Sequence, residues 1–175
     1  MEGFKTLTSD ELDTLLAAPI LITVLVGAAD GVLDREERTW TERLMHTRAY
    51  NKPKHLNEFY RIVSEGFLEK VDAQLAASPS NTEARNAQLA EKLKDVNPIL
   101  AKLDINLAAD LYHGFLGLAH ETAESSGGFL RLGAISKEEA KWIKLPMLTP
   151  VIAPPGHRTD NDGLDDYEEG DPWKE

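Results

Sequence analysis

Residues 53–77 read PKHLNEFYRIVSEGFLEKVDAQLAA, and their large apolar side chains recur mostly at steps of three and four residues. Side chains at this spacing lie on one face of a helix. The stretch therefore predicts one long amphipathic helix, which the Ser78-Pro79-Ser80 triplet ends. The apolar face consists of Leu56, Phe59, Tyr60, Val63, Phe67, Val71 and Leu75.

The sequence on both sides has the same helical character. Ala, Leu, Glu and Lys dominate, and no run of alternating β-branched residues suggests a sheet. We predict an all-α fold, a compact bundle of about seven helices with two related halves. The other predicted helices are a short first one capped by Thr8 or Ser9, a buried one from Pro19 through Ala29, one from Asp34 to about Tyr50, one from about Asn81 towards Leu103 with a kink at Pro98, one from Asp104 to about Ala123 and one from Ser136 to Pro146.

Composition narrows the class of protein. The 175 residues carry a net charge of −11, the opposite sign from that needed to bind nucleic acid or an anionic membrane. Cysteine is absent, which excludes disulfides and thiolate metal sites. The longest apolar run, Ile20–Ala29, is far shorter than a membrane-spanning helix, and the N-terminal sequence does not resemble a signal peptide. We therefore expect a cytoplasmic protein with no nucleic-acid partner and no membrane insertion.

Proline and charge divide the chain near residue 145, which predicts a helical domain over 1–145 and a separate segment over 146–175. Five of the nine prolines lie in the last 31 residues, together with eight acidic residues against two basic ones, so −6 of the −11 is there. This composition predicts an extended arm with a disordered acidic end. Such a tail can dock on a basic protein partner, with Tyr167 and Trp173 as anchors.

The chain also contains an internal repeat. GVLDREERTW, residues 31–40, aligns with GAISKEEAKW, residues 133–142, with four identical positions of ten. Each half then consists of an apolar helix, a turn with glycine, and a capped helix whose second turn ends on tryptophan. Trp40 and Trp142 are therefore predicted to be equivalent anchors in the core.

The repeat extends upstream once residues 121–132 are treated as an insertion. VGAAD, residues 26–30, then faces LGLAH, residues 116–120, and His120 occupies the place of Asp30. The position that closes the apolar helix of each half thus carries a side chain able to bind a metal.

Helix capping explains part of this pattern without any ligand. Asp34-x-x-Glu37 and Ser136-x-x-Glu139 both have the form of a capping box, which satisfies the free N–H groups of a helix start. Capping does not explain Asp30. Both interpretations, caps alone and caps that also bind a cation, stay open at this point.

Ala29-Asp30-Gly31 followed by Asp34 and Glu37 resembles the TerB-like tellurite-resistance family, over residues 20–42 and in part over 107–145. The resemblance implies an all-helical bacterial domain with an acidic cluster between its halves. It also implies a role in metal binding or stress response without catalysis.

By position, the acidic residues of the family correspond to Asp30, Asp34, Glu37 and Glu139, while His120 stands where a second Asp is expected. We predict these five residues as the ligands of one divalent cation, with Glu121 and Glu124 as weaker candidates. Oxygen ligands favour Ca²⁺ or Mg²⁺, and the imidazole moves the preference towards Mn²⁺ or Zn²⁺.

Catalytic motifs are missing. The zinc-protease, P-loop and dinucleotide-binding patterns are absent. A di-iron carboxylate site needs two Glu-x-x-His pairs, and Asp110-x-x-His113 is the sole comparable pair in the sequence. His55 and His157 are predicted to lie on the surface, and His113 beside the core. The sequence thus favours a non-catalytic protein that binds a cation. The alternative is a metal-free interaction module that uses its acidic tail.

Overall fold

A computed structural model describes residues 1–29, 33, 35–51, 54–126 and 137–159, with the side chains of 35–37, 51, 54, 126 and 137–139 outside the description. Within these ranges the chain is all-α, as predicted, with no strand and no helix long and apolar enough to cross a membrane. The helices are α1 (Ser9–Gly27), α2 (Arg35–Asn51), α3 (Lys54–Ser64), α4 (Phe67–Ala76), α5 (Thr82–Lys94), α6 (Val96–Leu100), α7 (Ile105–Ser126) and α8 (Lys137–Trp142), after a 3-10 turn at Glu2–Phe4.

Helix α1 lies at the centre and packs against six others, α3 to α8. It begins with a full capping box, in which the Thr8 hydroxyl accepts from Glu11 N and the Glu11 carboxylate accepts from Thr8 N at 2.9 Å. The prediction of two helices here is wrong, because Pro19 lies inside α1. Every residue of 18–29 is buried, and this packing keeps the helix continuous although proline supplies no N–H.

The predicted helix over 53–77 is two helices. Gly66 has φ +62° and ends the run between α3 and α4, a left-handed conformation that glycine adopts without a steric penalty. The predicted apolar face is confirmed, since six of its seven residues are buried and Leu75 packs at the edge of the core.

The segment predicted as one helix from Asn81 towards Leu103 also divides, into α5 and α6, with Asp95 between them and Pro98 in the first turn of α6. Asn81 caps α5 by accepting from Ala84 N at 2.9 Å. Asp104 caps α7 by accepting from Asn106 N at 2.9 Å. The observed first residues of α5 and α7 thus lie within one residue of the predicted helix starts.

The two repeat tryptophans are not equivalent. Trp142 is half-buried and packs against the core, whereas Trp40 is exposed, so its predicted role as a core anchor is wrong. The buried face of α2 consists of Thr41, Met45, Arg48 and Ala49, and Trp40 lies outside this face.

The arm after α8 packs onto the bundle. Helix α8 ends at Trp142 rather than at the predicted Pro146, and Leu145, with φ +43°, donates its N–H to the Trp142 carbonyl at 2.8 Å. The Asn97 amide then donates to Met147 O at 3.0 Å and accepts from Thr149 N at 2.8 Å. This pair of bonds holds the arm beside α6.

Candidate metal centre

The C-terminal ends of α1 and α7 lie side by side. A Cβ added at Gly27 would come within 3.2 Å of the Thr122 methyl carbon and within 2.7 Å of Leu33 Cδ1, so the two helices approach closely here. Helix α8 packs against both α1 and α7. Three elements that carry or precede predicted ligands, α1, α7 and α8, therefore pack against one another.

Of the five predicted ligands, only His120 has a described side chain. Asp30 and Asp34 lie outside the described residues, and Glu37 and Glu139 lie within α2 and α8 with their side chains outside the description. Among the side chains that are described, no group of three or more His, Asp or Glu could hold a metal ion.

His120 is largely covered on α7. Its Nδ1 lies 3.6 Å from the Glu124 carboxylate one turn later, which is an ion-pair distance but too long for a hydrogen bond. Glu124 is half exposed. His120, a predicted ligand, and Glu124, a weaker candidate, therefore lie next to each other on α7.

Glu121, the other weaker candidate, has a different role. Its carboxylate accepts from Arg48 Nη2 at 2.5 Å, while Arg48 Nη1 donates to Gly114 O at 2.9 Å and lies 3.4 Å from the Tyr60 hydroxyl. Burial works against the charge of this arginine, but Tyr60 and Glu121 outweigh it and raise the pKa of Arg48. The Glu121 carboxylate is therefore paired with the buried Arg48 guanidinium.

The end of α1 is held by two side chains from α5. The buried Arg85 guanidinium donates to the Ala28 carbonyl, and the Asn86 amide nitrogen lies 3.5 Å from the Ala29 carbonyl. Asn86 Oδ1 is buried and has no hydrogen-bond partner among the described residues. A fixed positive charge and an unpaired amide oxygen thus lie at the residues that precede Asp30.

A second polar cluster was missed by sequence reasoning. Asp110 on α7 is 2% exposed, and both of its oxygens are bound, Oδ2 to His55 Nε2 at 2.7 Å and Oδ1 to His157 Nε2 at 2.8 Å. His55 comes from α3 and His157 from the arm, so the cluster joins three parts of the chain. The prediction that His157 lies free on the surface is wrong, because it is only a quarter exposed and bonded.

One signal could have pointed to this cluster. Asp110 lies in the apolar run of α7, and a carboxylate on a buried helix face must have hydrogen-bond partners. Each ring binds a different oxygen, so the arrangement satisfies the buried carboxylate and ties the arm to α7.

Comparison of the chain with protein-family models, curated proteins and solved structures finds no match. The TerB-like resemblance therefore rests on the sequence motif alone.

Proposed function

We propose that this chain is a non-catalytic, TerB-like cytoplasmic protein that binds a divalent cation between its two halves and acts in a bacterial stress or metal response. The proposed ligands are Asp30, Asp34, Glu37, His120 and Glu139. The cation would neutralise their carboxylates and set the angle between the halves.

The observation that supports this proposal is the meeting of α1, α7 and α8. Helices α1 and α7 approach closely at Gly27 and Thr122, and in the sequence Asp30 follows Gly27 by three positions while His120 precedes Thr122 by two. Glu139 belongs to α8, which packs against both helices. Ligands from separate elements that meet in this way can share one ion.

Asn86 adds a further argument. A buried amide oxygen without a hydrogen bond is costly unless another partner satisfies it. Amide and backbone carbonyl oxygens are ligands that Ca²⁺ accepts together with carboxylates. The imidazole of His120 instead favours Mn²⁺ or Zn²⁺, so all four cations, Ca²⁺, Mg²⁺, Mn²⁺ and Zn²⁺, are to be compared.

Thermal unfolding of the chelator-treated full chain against these four cations tests the proposal. We expect one of them to raise the melting temperature saturably, because a ligand that binds only the folded state stabilises it. Asp30→Ala and His120→Ala should abolish the rise. Glu83→Ala and His46→Ala, exposed positions elsewhere, should retain it.

Two further variants separate capping from ligation. Asp34→Ser and Glu37→Gln keep side chains that cap a helix but remove the carboxylates. If the acids bind a cation, both variants keep the stability of the metal-free protein and lose the response to the cation. No shift with any cation in the unsubstituted chain would show that the acids only cap helices.

The arm favours a second candidate, a metal-free interaction module that presents its acidic tail. Asn97 and Asp110 hold the arm on either side of residues 150–156, so the described chain up to Thr159 is fixed to the bundle. Titration of a Lys-rich peptide into the full chain tests this function. Binding should disappear when the chain is truncated after Thr159, and equal binding by both forms would contradict it.

A further inference from the structure

An apolar cleft lies between α6, the start of α7 and the arm. Its volume is about 460 Å³, and its walls include Leu100, Leu103, Ile105, Ala108, Val151 and Ile152. Ile105 is 49% exposed and Ile152 is 83% exposed. Two of the four large apolar side chains that are exposed in the described part of the chain thus border the same cleft.

The outer wall of this cleft is held in place. Asn97 binds the backbone of the arm just before Pro150, and His157 binds Asp110 just after the wall. Thr159, the last described residue, is buried. The acidic tail therefore starts close to the cleft, since the seven residues from Ile152 to Thr159 span at most about 24 Å.

We propose that the cleft binds the indole of Trp173 from the tail of the same molecule. Trp173 lies fourteen positions after Thr159, and this stretch can extend over about 46 Å, which exceeds the distance to be covered. A tether of this length gives the indole an effective concentration of about millimolar at the cleft, which favours docking from the same molecule over binding from another copy.

Charge selects Trp173 over the other aromatic side chain of the tail. Tyr167 lies between Asp166 and Glu168, whereas Trp173 is followed by Lys174, the only basic residue after 159. The edge of the cleft exposes Asp104, next to Ile105. Lys102 lies on the same edge but is paired with Glu11, so the edge is acidic overall. It repels the four carboxylates within two positions of Tyr167 more strongly than the surroundings of Trp173, where Lys174 offsets one of the two side-chain carboxylates, Asp171 and Glu175.

The docked tail would close the cleft and shield its own aromatic anchor. A partner that recognises the tail or the cleft would then have to displace one from the other. This inference stands independently of the proposed cation site, because it uses no residue of that site.

The test is tryptophan fluorescence of the full chain carrying Trp40→Phe and Trp142→Phe, in which Trp173 is the only emitter. We expect blue-shifted emission and slow acrylamide quenching relative to the same protein in urea. Ile152→Asp should move the emission to the red and raise the quenching constant about two-fold or more, because the ring loses its apolar cover. Tyr50→Asp, at an exposed site far from the cleft in the sequence, is the matched control and should change neither.

Three outcomes would overturn the inference. Emission and quenching equal to those in urea would show that Trp173 is solvated. Protection that persists in Ile152→Asp and in Ala101→Glu, a second exposed cleft residue, would place the ring elsewhere. Protection that grows with protein concentration would assign the ring to a second copy of the chain. Far-UV circular dichroism of each variant confirms that the helices are retained.

Discussion

Arg48 on α2 and Glu121 on α7 form a 2.5 Å ion pair whose two ends differ in exposure, with the arginine side chain 3% exposed and the glutamate 40% exposed. The guanidinium is buried in the bundle, while the carboxylate reaches it from the rim. The pair therefore links α2 to α7 and supplies the charge that the buried arginine requires.

Glu121→Gln should lower the free energy of unfolding by about 1–3 kcal/mol, because a buried guanidinium loses its counter-ion. Urea unfolding measures this cost. In an Arg48→Met background the same substitution should cost much less, since no buried charge remains. Equal costs in the two backgrounds would show that the pair does not couple.

Gly114 leaves room for the Tyr60 hydroxyl. A Cβ at this position would lie 2.7 Å from Tyr60 Oη, so Gly114→Ala should destabilise the protein by about 1–3 kcal/mol despite the higher helix propensity of alanine. Tyr60→Phe removes the oxygen in conflict. Gly114→Ala made in that background should be neutral or stabilising, and a penalty of unchanged size in thermal unfolding would contradict the steric explanation.

His157→Ala should release the arm and leave the bundle folded. Hydrogen exchange read by mass spectrometry should show faster exchange over residues 149–159 and little change in α1. Asp110→Asn should both release the arm and destabilise the bundle. We expect it to lower the free energy of unfolding by about 1–3 kcal/mol, because it disturbs a buried acceptor that binds two imidazole rings. His46→Ala, at an exposed site, is the control, and an arm that exchanges equally slowly in His157→Ala would refute the anchor.

The bridge between Arg38 and Asp72, at 2.5 and 2.6 Å, should contribute to stability in a pH-dependent way. The hydrogen bond from Arg38 lowers the pKa of Asp72 in the folded protein and outweighs the opposing effect of burial. A carboxyl whose folded pKa is lowered stabilises above its unfolded pKa, about 3.9, and loses this contribution as the pH falls through the folded value.

Asp72→Asn should therefore be less stable than the unsubstituted chain by about 0.2–1 kcal/mol between about pH 5 and 8, a small cost because the pair is partly exposed. The difference should shrink below about pH 4. Urea unfolding at each pH provides the measurement, and Arg38→Gln should follow the same profile. A difference that grows on acidification would exclude the bridge as its source.

The sequence predicts those features of the fold that depend on residues close together in the chain. The apolar face of residues 56–75, the cap at Thr8 and the helix starts near Asn81 and Asp104 depend on neighbours within a few positions, and the structure confirms them. The break at Gly66 was not predicted because the apolar spacing continues across it.

Long-range packing accounts for the rest. Pro19 is an ordinary helix-start signal, and only the burial of residues 18–29 explains why α1 continues through it. The bonds of Asp110 to His55 and His157 join positions 55 and 47 residues apart, so the apolar surroundings of Asp110 indicate that it needs partners but no local pattern identifies them. Of the predicted metal ligands, His120 is the one whose side chain has a described place, on α7 beside Glu124.

The two attachments of the arm also determine how the molecule would respond to mechanical force. A pull on the tail would first load the hydrogen bond between His157 and Asp110, and then the Asn97 amide bonds near Thr149. These junctions lie in series, so they would break one after the other and release slack in two steps. Helices α7 and α6 would thus take the load through these bonds before it reached α8 along the backbone.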